Sequence, residues 1–472
     1  MKPPKSKMAE LAANATGGEK SHAEAKCARA EGVGLPECEA RAAKRSQEVA
    51  RGRGIEFKQT ELGPIPVDWE VKNIGQCGEV ITGSTPPRGI SELWGGSFNW
   101  ISAKDFRDKY IISSDEKITE AGKRYCRVLP RNSVLVTCIA SIGLNAIAKR
   151  SCATNQQINA VVCRDCDYEY FYYQCCFNES RLRQMAGQTA VPIIGKSQFE
   201  AFHIALPKEI KEQQRIAGAL SDVDELISAL GKLIEKKRNI KTGAMQELLT
   251  GKTRLPGFKG KWVEKRLGEC GTWLGGGTPS TDIPHYWQGS VPWISSSDIE
   301  EGNIWNVSKT RFVSNDGIVN SAACICPRGT IHIVTRVGIG KVAIATEPVC
   351  TSQDYANLVS AQCDNKFLAF LISVVMLSKK EETQGTSIKG ITLEDLKKIV
   401  LSVPPTLAEQ KAIATVLSDM DAEIAALEAD RAKYERIKSG MMQELLTGRT
   451  RLRDFAAREE AQGATAGIGS DL

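Results

Sequence analysis

Three stretches of the 472-residue chain carry residue types at spacings that could support catalysis. Asp68-x-Glu70-x-Lys72 has the two carboxylates and ammonium found in metal-dependent nuclease clusters. Gly195-Lys196-Ser197 has the end of a phosphate-cradling Gly-x4-Gly-Lys-Ser/Thr loop, but Ala190 stands where the first glycine belongs. Cys163-x2-Cys166 with Cys175 and Cys176 could supply four thiolates to zinc. The four histidines, His22, His203, His285 and His332, are dispersed. An amino-methyltransferase would need Asn/Asp-Pro-Pro-Tyr/Phe; the Pro-Pro pairs beyond residue 56 read Thr-Pro-Pro-Arg and Val-Pro-Pro-Thr.

Each candidate weakens when the chain is compared with itself. Lys241–Leu255 reads KTGAMQELLTGKTRL and Lys438–Leu452 reads KSGMMQELLTGRTRL, twelve of fifteen positions identical at an offset of 197. Leu206–Asp224 matches Val403–Asp421 at the same offset. At an offset of 193, Trp69 meets Trp262, and Thr85, Pro86, Trp94, Trp100, Ser102 and Asp105 meet Thr278, Pro279, Trp287, Trp293, Ser295 and Asp298. One unit of about 195 residues is therefore used twice. Copy 2 has Lys261-Trp262-Val263-Glu264-Lys265 opposite the carboxylate cluster and no counterpart to the four cysteines. No catalytic centre is expected, and no metal.

Each copy ends in a segment with a coiled-coil rhythm. Ile216, Leu220, Val223, Ile227, Leu230 and Ile234 are spaced 4, 3, 4, 3, 4; Ile413, Leu417, Met420, Ile424 and Leu427 repeat that rhythm until Arg431 interrupts it. Pro207, Pro404, Pro405 and a Thr406-x-x-Glu409 capping box mark starts, and Gly251 and Gly448 mark stops. Between the helices, short β-rich runs such as Ser133–Ile139 and Thr330–Thr335, broken by Gly and Pro turns, precede apolar helical segments. The expected fold is α+β: two similar globules separated by two long helices packed as an antiparallel coiled coil, with an internal pseudo-twofold repeat. Expected boundaries are a disordered basic, Ala-rich extension (1–56), globule 1 (57–206), helix 1 (207–252), globule 2 (253–403), helix 2 (404–450) and a disordered tail (451–472). Gly243 and Gly440, at matched interior positions, are expected to allow close helix crossing or to mark a bend where a partner docks.

Composition sets further bounds. Of the net charge of +6, residues 1–58 hold twelve Lys/Arg against eight Asp/Glu, so the globular chain is nearly neutral. A global positive charge does not announce a polyanion partner; a basic footprint must be local. Fifteen cysteines without a signal-like N-terminus fit a reducing compartment. The longest apolar run, Phe367–Leu377, is eleven residues, too short to span a bilayer. A soluble, cytoplasmic protein is expected.

Several motifs together resemble the specificity subunit of type I restriction-modification systems. They are Thr-Glu-Leu-Gly-x-Ile-Pro-x-x-Trp at residues 60–69, Gly-x-Thr-Pro…Trp…Trp-Ile-Ser…Asp in each globule, Pro…Glu-Gln-x-x-Ile-Ala…Leu before each helix, and Gln-Glu-Leu-Leu-Thr-Gly at its end. The likeness covers residues 57–452 in both copies. It implies two target recognition domains, each reading half of a split, asymmetric site on double-stranded DNA. It also implies helices that dock two methyltransferase subunits, with restriction and translocase subunits joining the assembled complex. S-adenosylmethionine, ATP and Mg would then sit on partner subunits and none on this chain.

Base edges are read by Arg, Lys, Asn, Gln and hydroxyl side chains, while phosphate contacts fix register. The candidates in globule 1 are Ser84, Thr85, Arg88, Lys104, Arg107, Lys109, Lys123 and Arg124. In globule 2 they are Thr278, Thr281, Ser296, Ser297, Lys309, Arg311 and Arg336. Gly83-Ser84-Thr85 and Gly338-Ile339-Gly340 are loops expected to permit close backbone approach. For spacing and partner docking the candidates are Gln213, Ile216, Leu220, Val223, Ile227 and Leu230, with Gln410, Ile413, Leu417, Met420, Ile424 and Leu427. The alternatives are a protein-interaction scaffold without DNA specificity and a fused restriction-methylation enzyme.

Overall fold

The computed structural model describes residues 56–187, 191–383 and 390–452. The expected terminal extensions at residues 1–56 and 451–472 lie almost wholly outside the described residues. The chain divides into two compact units, one holding Lys232–Glu428 and the other the described residues up to Gly231 and from Ala429 onward. The fold is α+β in both.

In the first-copy unit, a five-stranded sheet runs in the order Gly78–Thr82, Ile158–Cys163, Val134–Thr137, Asn145–Ala148 and Tyr110–Ile111. A three-stranded sheet is centred on Trp94–Ile101. The other unit repeats this plan with two four-stranded sheets, one built on Tyr355–Ser360 and Ile331–Val334, the other on Val291–Ile294 and Val349–Thr351. Central strands of both sheets are buried on both faces, as Val134–Thr137 and Ile331–Val334 are at every position. Each globule is closed by an antiparallel ribbon between its leading strand and the strand before its long helix. These ribbons are Trp69–Asn73 with His203–Pro207, and Val263–Arg266 with Val400–Val403.

Four helices frame the globules: α1 (Tyr168–Phe177), α2 (Ile210–Leu248), α3 (Asn365–Thr383) and α4 (Leu407–Leu445). Helices α1 and α3 start on Asp167 and Asp364, whose carboxylates accept the first free amides of each turn. Helices α2 and α4 are each thirty-nine residues long, rich in Ala, Leu, Glu and Lys, and each contributes one part to each unit. Both stop the same way. Gly251 and Gly448 take φ of +71°, and the amides of Thr253 and Thr450 turn back to the carbonyls of Glu247 and Glu444.

The starts differ from expectation. Pro207 closes a strand, and α2 begins at Ile210. Thr406 does cap α4, accepting from the Glu409 amide at 3.3 Å, but the Glu409 carboxylate turns to Arg254 and leaves the box half made.

The helices pair antiparallel within each unit. In one, Lys237 meets Glu423 and Lys241 meets Asp421, each at 2.5 Å. In the other, Lys438 meets Asp224 at 2.6 Å, the repeat-related counterpart of Lys241–Asp421. Ile216, Leu220, Val223, Leu230, Ile234, Ile413, Leu417 and Ile424 of the seam are buried, while Ile227, Met420 and Leu427 are half-buried. Part of this seam joins a globular core rather than a helix–helix stripe alone: Ile413, Ala414 and Leu417 cluster with Leu248, Phe367, Phe370 and Ile333. The expected close crossing at Gly243 and Gly440 is not found. A Cβ placed on either meets nothing within 4 Å. No helix among the described residues is long and apolar enough to cross a membrane.

Candidate nucleic-acid interface

The Gly-x-Thr-Pro loops are held by a frame that recurs in both globules. A Cβ on Gly83 would lie 2.1 Å from the Asn155 carbonyl oxygen, and one on Gly276 would lie 2.0 Å from that of Ser352. Glycine is thus required here by the chain's own backbone, and not by an approaching ligand. Thr85 donates to Gln156 Oε1 at 2.6 Å and Thr278 to Gln353 Oε1 at 2.7 Å. Behind each loop two tryptophans meet edge-to-face, Trp94–Trp100 at 5.1 Å and Trp287–Trp293 at 5.2 Å. All four indole N–H groups donate to loop carbonyls: Trp100 to Ser84, Trp293 to Gly277, Trp94 to Pro87 and Trp287 to Ser280. After the second tryptophan strand comes a one-turn cap: Asp105 accepts from the Ser102 amide and hydroxyl, and Asp298 from those of Ser295.

On this frame sit unlike side chains. The cap encloses Ala103-Lys104 in one globule and Ser296-Ser297 in the other, with Lys104 and Ser297 exposed at matched positions. Arg88, opposite Thr281 in the repeat, lies 3.9 Å over Trp94 and pairs with Glu116 at 2.8 Å. No repeat partner supplies that cation to the second globule; Arg311, on a different strand, covers Trp293 at 4.4 Å and bonds Asp298 and Ser295. Lys104, Arg124, Thr281 and Arg336 are exposed and, among the described residues, have no side-chain hydrogen bond or ion pair. Arg107–Asp115, Lys123–Glu120 and Lys309–Glu347 are solvent-accessible pairs, worth at most about 1 kcal/mol each. Ser84 donates to the Tyr125 carbonyl, and the Ser296 carbonyl accepts from Lys341.

Lys109 is a correction. Its side chain is only 10% exposed, and the ammonium donates to Glu169, Tyr173 and Ser221, joining α1 to α2. A cation so enclosed is structural. The second globule builds the same junction differently: Glu169 is matched by Lys366, Tyr173 by Phe370, and Trp305 donates to Asp421 on α4.

The docking candidates need a similar correction. Gln213 and Gln410 are buried: each accepts from the amide of the N-cap aspartate, Asp167 or Asp364, and donates to the Pro207 or Pro404 carbonyl. With the buried seam residues they hold each unit together and present no surface to a partner.

Sequence reasoning missed two paired elements. One is Gln156 and Gln353, which lock the Thr-Pro loops. The other is Arg451 and Arg254, which clamp Glu212 and Glu409. The identical Thr-Arg-Leu after each Gln-Glu-Leu-Leu-Thr-Gly was the available signal for the second.

The stretches considered for catalysis do not converge. Asp68 is held by Arg451, while Glu70 pairs with Lys72 and Lys208. Gly195 starts a five-residue helix, its amide bonded to Gln198. Among the described residues no group of three or more His, Cys, Asp or Glu is placed to hold a metal.

Comparison with known proteins bears on this arrangement. A family model described as the type I restriction modification DNA specificity domain matches residues 66–239 and again 259–438. The type I restriction enzyme MjaVIII specificity subunit of Methanocaldococcus jannaschii is 26% identical over 427 residues, covering 84% of this chain and 97% of the relative. The MjaIX specificity subunit of the same organism is 37% identical over 180 residues, 36% of this chain and 41% of that protein. The crystal structure of the type I restriction-modification S subunit from M. genitalium superposes with a TM-score of 0.56 at 15% identity, covering 83% of this chain and 99% of that one, a likeness of fold.

Proposed function

The chain belongs to the type I restriction modification DNA specificity family, and we propose that it is the sequence-reading and scaffolding subunit of a restriction-modification complex. Each globule reads one half of a bipartite, asymmetric site on double-stranded DNA. The outer faces of α2 and α4 dock two methyltransferase subunits, and restriction and translocase subunits join through the assembled complex. The chain itself is non-catalytic; S-adenosylmethionine, ATP and Mg belong to its partners.

The observation that carries this reading is the pair of capped turns. Ser102 with Asp105 and Ser295 with Asp298 make the same hydrogen bonds, yet present Lys104 in one globule and Ser297 in the other. A protein using one scaffold for two different half-sites needs a fixed frame and exchangeable tips. Lysine suits the guanine O6 and N7 acceptors, whereas serine serves either kind of base.

The test is co-expression with a methyltransferase partner followed by genome-wide mapping of methylated bases. Exchange of residues 61–205 for the matching block of a relative is expected to change one half of the methylated motif. A change in both halves, or in neither, overturns the reading.

A further inference from the structure

The two globules hold unlike charge beside their Gly-x-Thr-Pro loops. In each, a short helix is capped by a hydroxyl: Thr119 accepts from the Gly122 amide and Ser314 from the Gly317 amide, both at 3.2 Å. The segment that follows lies against the loop. Between Gly122 and Leu129 it reads Lys-Arg-Tyr-Cys-Arg-Val; between Gly317 and Cys326 it reads Ile-Val-Asn-Ser-Ala-Ala-Cys-Ile. The first version carries three cations and an aromatic ring. The second carries neither, and exposes Val319 instead.

The first segment is fixed by its backbone. The amides of Arg124, Tyr125 and Cys126 donate to the carbonyls of Ala121, Gly122 and Lys123. The Ser84 hydroxyl donates to the Tyr125 carbonyl at 3.2 Å and accepts from the Arg127 amide at 3.3 Å, while the Arg127 guanidinium donates to the Thr82 carbonyl. In the second globule the neutral segment is pressed as closely to its loop, since a Cβ on Gly277 would lie 2.2 Å from the Ala322 carbonyl carbon. What the backbone fixes in the first, the side chains leave open. Tyr125 is 52% exposed, more than any other Phe, Tyr or Trp among the described residues, and there its hydroxyl has no hydrogen-bond partner. Arg124 and Arg127 are exposed and, among the described residues, paired with no carboxylate, unlike Arg88, Arg107 and Lys123 of the same globule.

We propose that Arg124, Tyr125 and Arg127 clamp the sugar–phosphate backbone of DNA, a clamp the second globule lacks at the matching place. The inference rests on the DNA-reading function above and adds a contact that supplies affinity without reading a base. The two guanidinium groups meet phosphate charge; the phenol donates to a phosphate oxygen with its ring against the neighbouring deoxyribose. Anchorage to Ser84 sets the clamp beside the Gly-x-Thr-Pro loop, so it fixes the register of one half-site. Each phosphate it neutralises releases condensed counterions, which makes its share of the affinity dependent on salt. The two half-sites are therefore held unequally as well as read differently.

The experiment uses the full chain assembled with its methyltransferase partner and a duplex carrying the motif found by methylation mapping. Affinity is measured over a salt series. Arg124→Gln and Arg127→Gln are each expected to lower the slope of log K against log salt by about 1. Tyr125→Phe removes a hydroxyl and no charge, so it should weaken binding about tenfold and leave the slope as it was. All three variants should methylate the original motif, which also reports that they fold and assemble. Phosphate ethylation should interfere with binding of the unaltered complex at positions in the half-site that exchange of residues 61–205 changes, and the arginine variants should lose that interference. Unchanged slopes in both arginine variants, or an altered motif, would overturn the clamp; unchanged affinity of Tyr125→Phe would overturn it for the tyrosine. An unaltered complex that prefers no duplex would instead sink the DNA-reading function beneath it.

Discussion

Arg451 grips Glu212 with two nitrogens, Nε donating to one carboxylate oxygen at 2.5 Å and Nη2 to the other at 2.7 Å. The side chains are 4% and 2% exposed, and 239 residues separate them in sequence. Asp68 takes the remaining side of the guanidinium at 2.8 Å. The same clamp recurs as Arg254 on Glu409, where the backbone carbonyls of Gly260 and Lys259 stand in for the second carboxylate. Arg451→Met strands Glu212 as a buried charge, a loss of about 3–5 kcal/mol. Arg254 is 23% exposed, so Arg254→Met is expected to cost less. Urea unfolding of both variants checks the order; equal losses would contradict it.

Acid should destabilise the Lys232–Glu428 unit through one residue. His332 lies fully buried, its Nδ1 donating to Asn357 Oδ1 at 2.7 Å, while Nε2 has no partner among the described residues. Burial depresses its pKa from 6.5 to about 4, against a smaller opposing pull from Asn357. The folded state therefore holds the ring neutral while the unfolded chain takes up a proton. Stability is full above pH 6.5 and falls as the pH drops towards 4, by about 3 kcal/mol in all. The matched residue in the other globule is Leu135. His332→Leu should flatten the pH dependence of the urea midpoint between pH 7.5 and 4.5.

Exchange of the reading residues should act on one half-site at a time. Lys104→Ser gives the first capped turn the residue of the second, without touching Ser102 or Asp105. Methylation mapping is expected to show relaxed or altered base preference in one half of the motif, worth about 1–3 kcal/mol of discrimination at that base pair. Ser297→Lys should alter the other half. Loss of all methylation with retained folding would place these residues elsewhere in the mechanism.

The open space at Gly243 and Gly440 supports a different expectation from the close crossing their positions suggested. Alanine at each should stabilise its helix by about 1 kcal/mol, because glycine interiors carry excess backbone entropy and no neighbour needs to move. Thermal unfolding of the double variant tests this. If stability rises while assembly with methyltransferase subunits fails, the glycines serve a bend or a partner contact instead.

Comparison of the chain with itself made the architecture legible. Matched Trp69/Trp262 and Trp94/Trp287 marked the globules, and the 4-3 apolar rhythm marked the long helices. What it could not give was where polar groups go. Lys109 and Arg107 look alike in sequence, yet one is enclosed by Glu169, Tyr173 and Ser221 and the other pairs at the surface. Such a difference depends on Glu169 and Tyr173 of α1 and Ser221 of α2 meeting at Lys109, a long-range contact that no local spacing encodes. The full cover of the seam was not legible for a related reason. An apolar stripe announces burial without naming what covers it, and here the cover is partly Phe367 and Phe370 of the globule.

The antiparallel ribbons at the base of the globules have a thermodynamic corollary. By pairing Trp69–Asn73 with His203–Pro207, the first globule brings its two chain ends together, so that everything between them is a closed loop. Loop-closure entropy grows only with the logarithm of length, by about 0.6 kcal/mol per doubling. Insertions or deletions within that loop are then cheap for the rest of the molecule, provided the ribbon still forms. The second ribbon, Val263–Arg266 with Val400–Val403, confers the same tolerance on its own loop. Each globule is thereby free to vary in size as well as in sequence while its two ends stay in register.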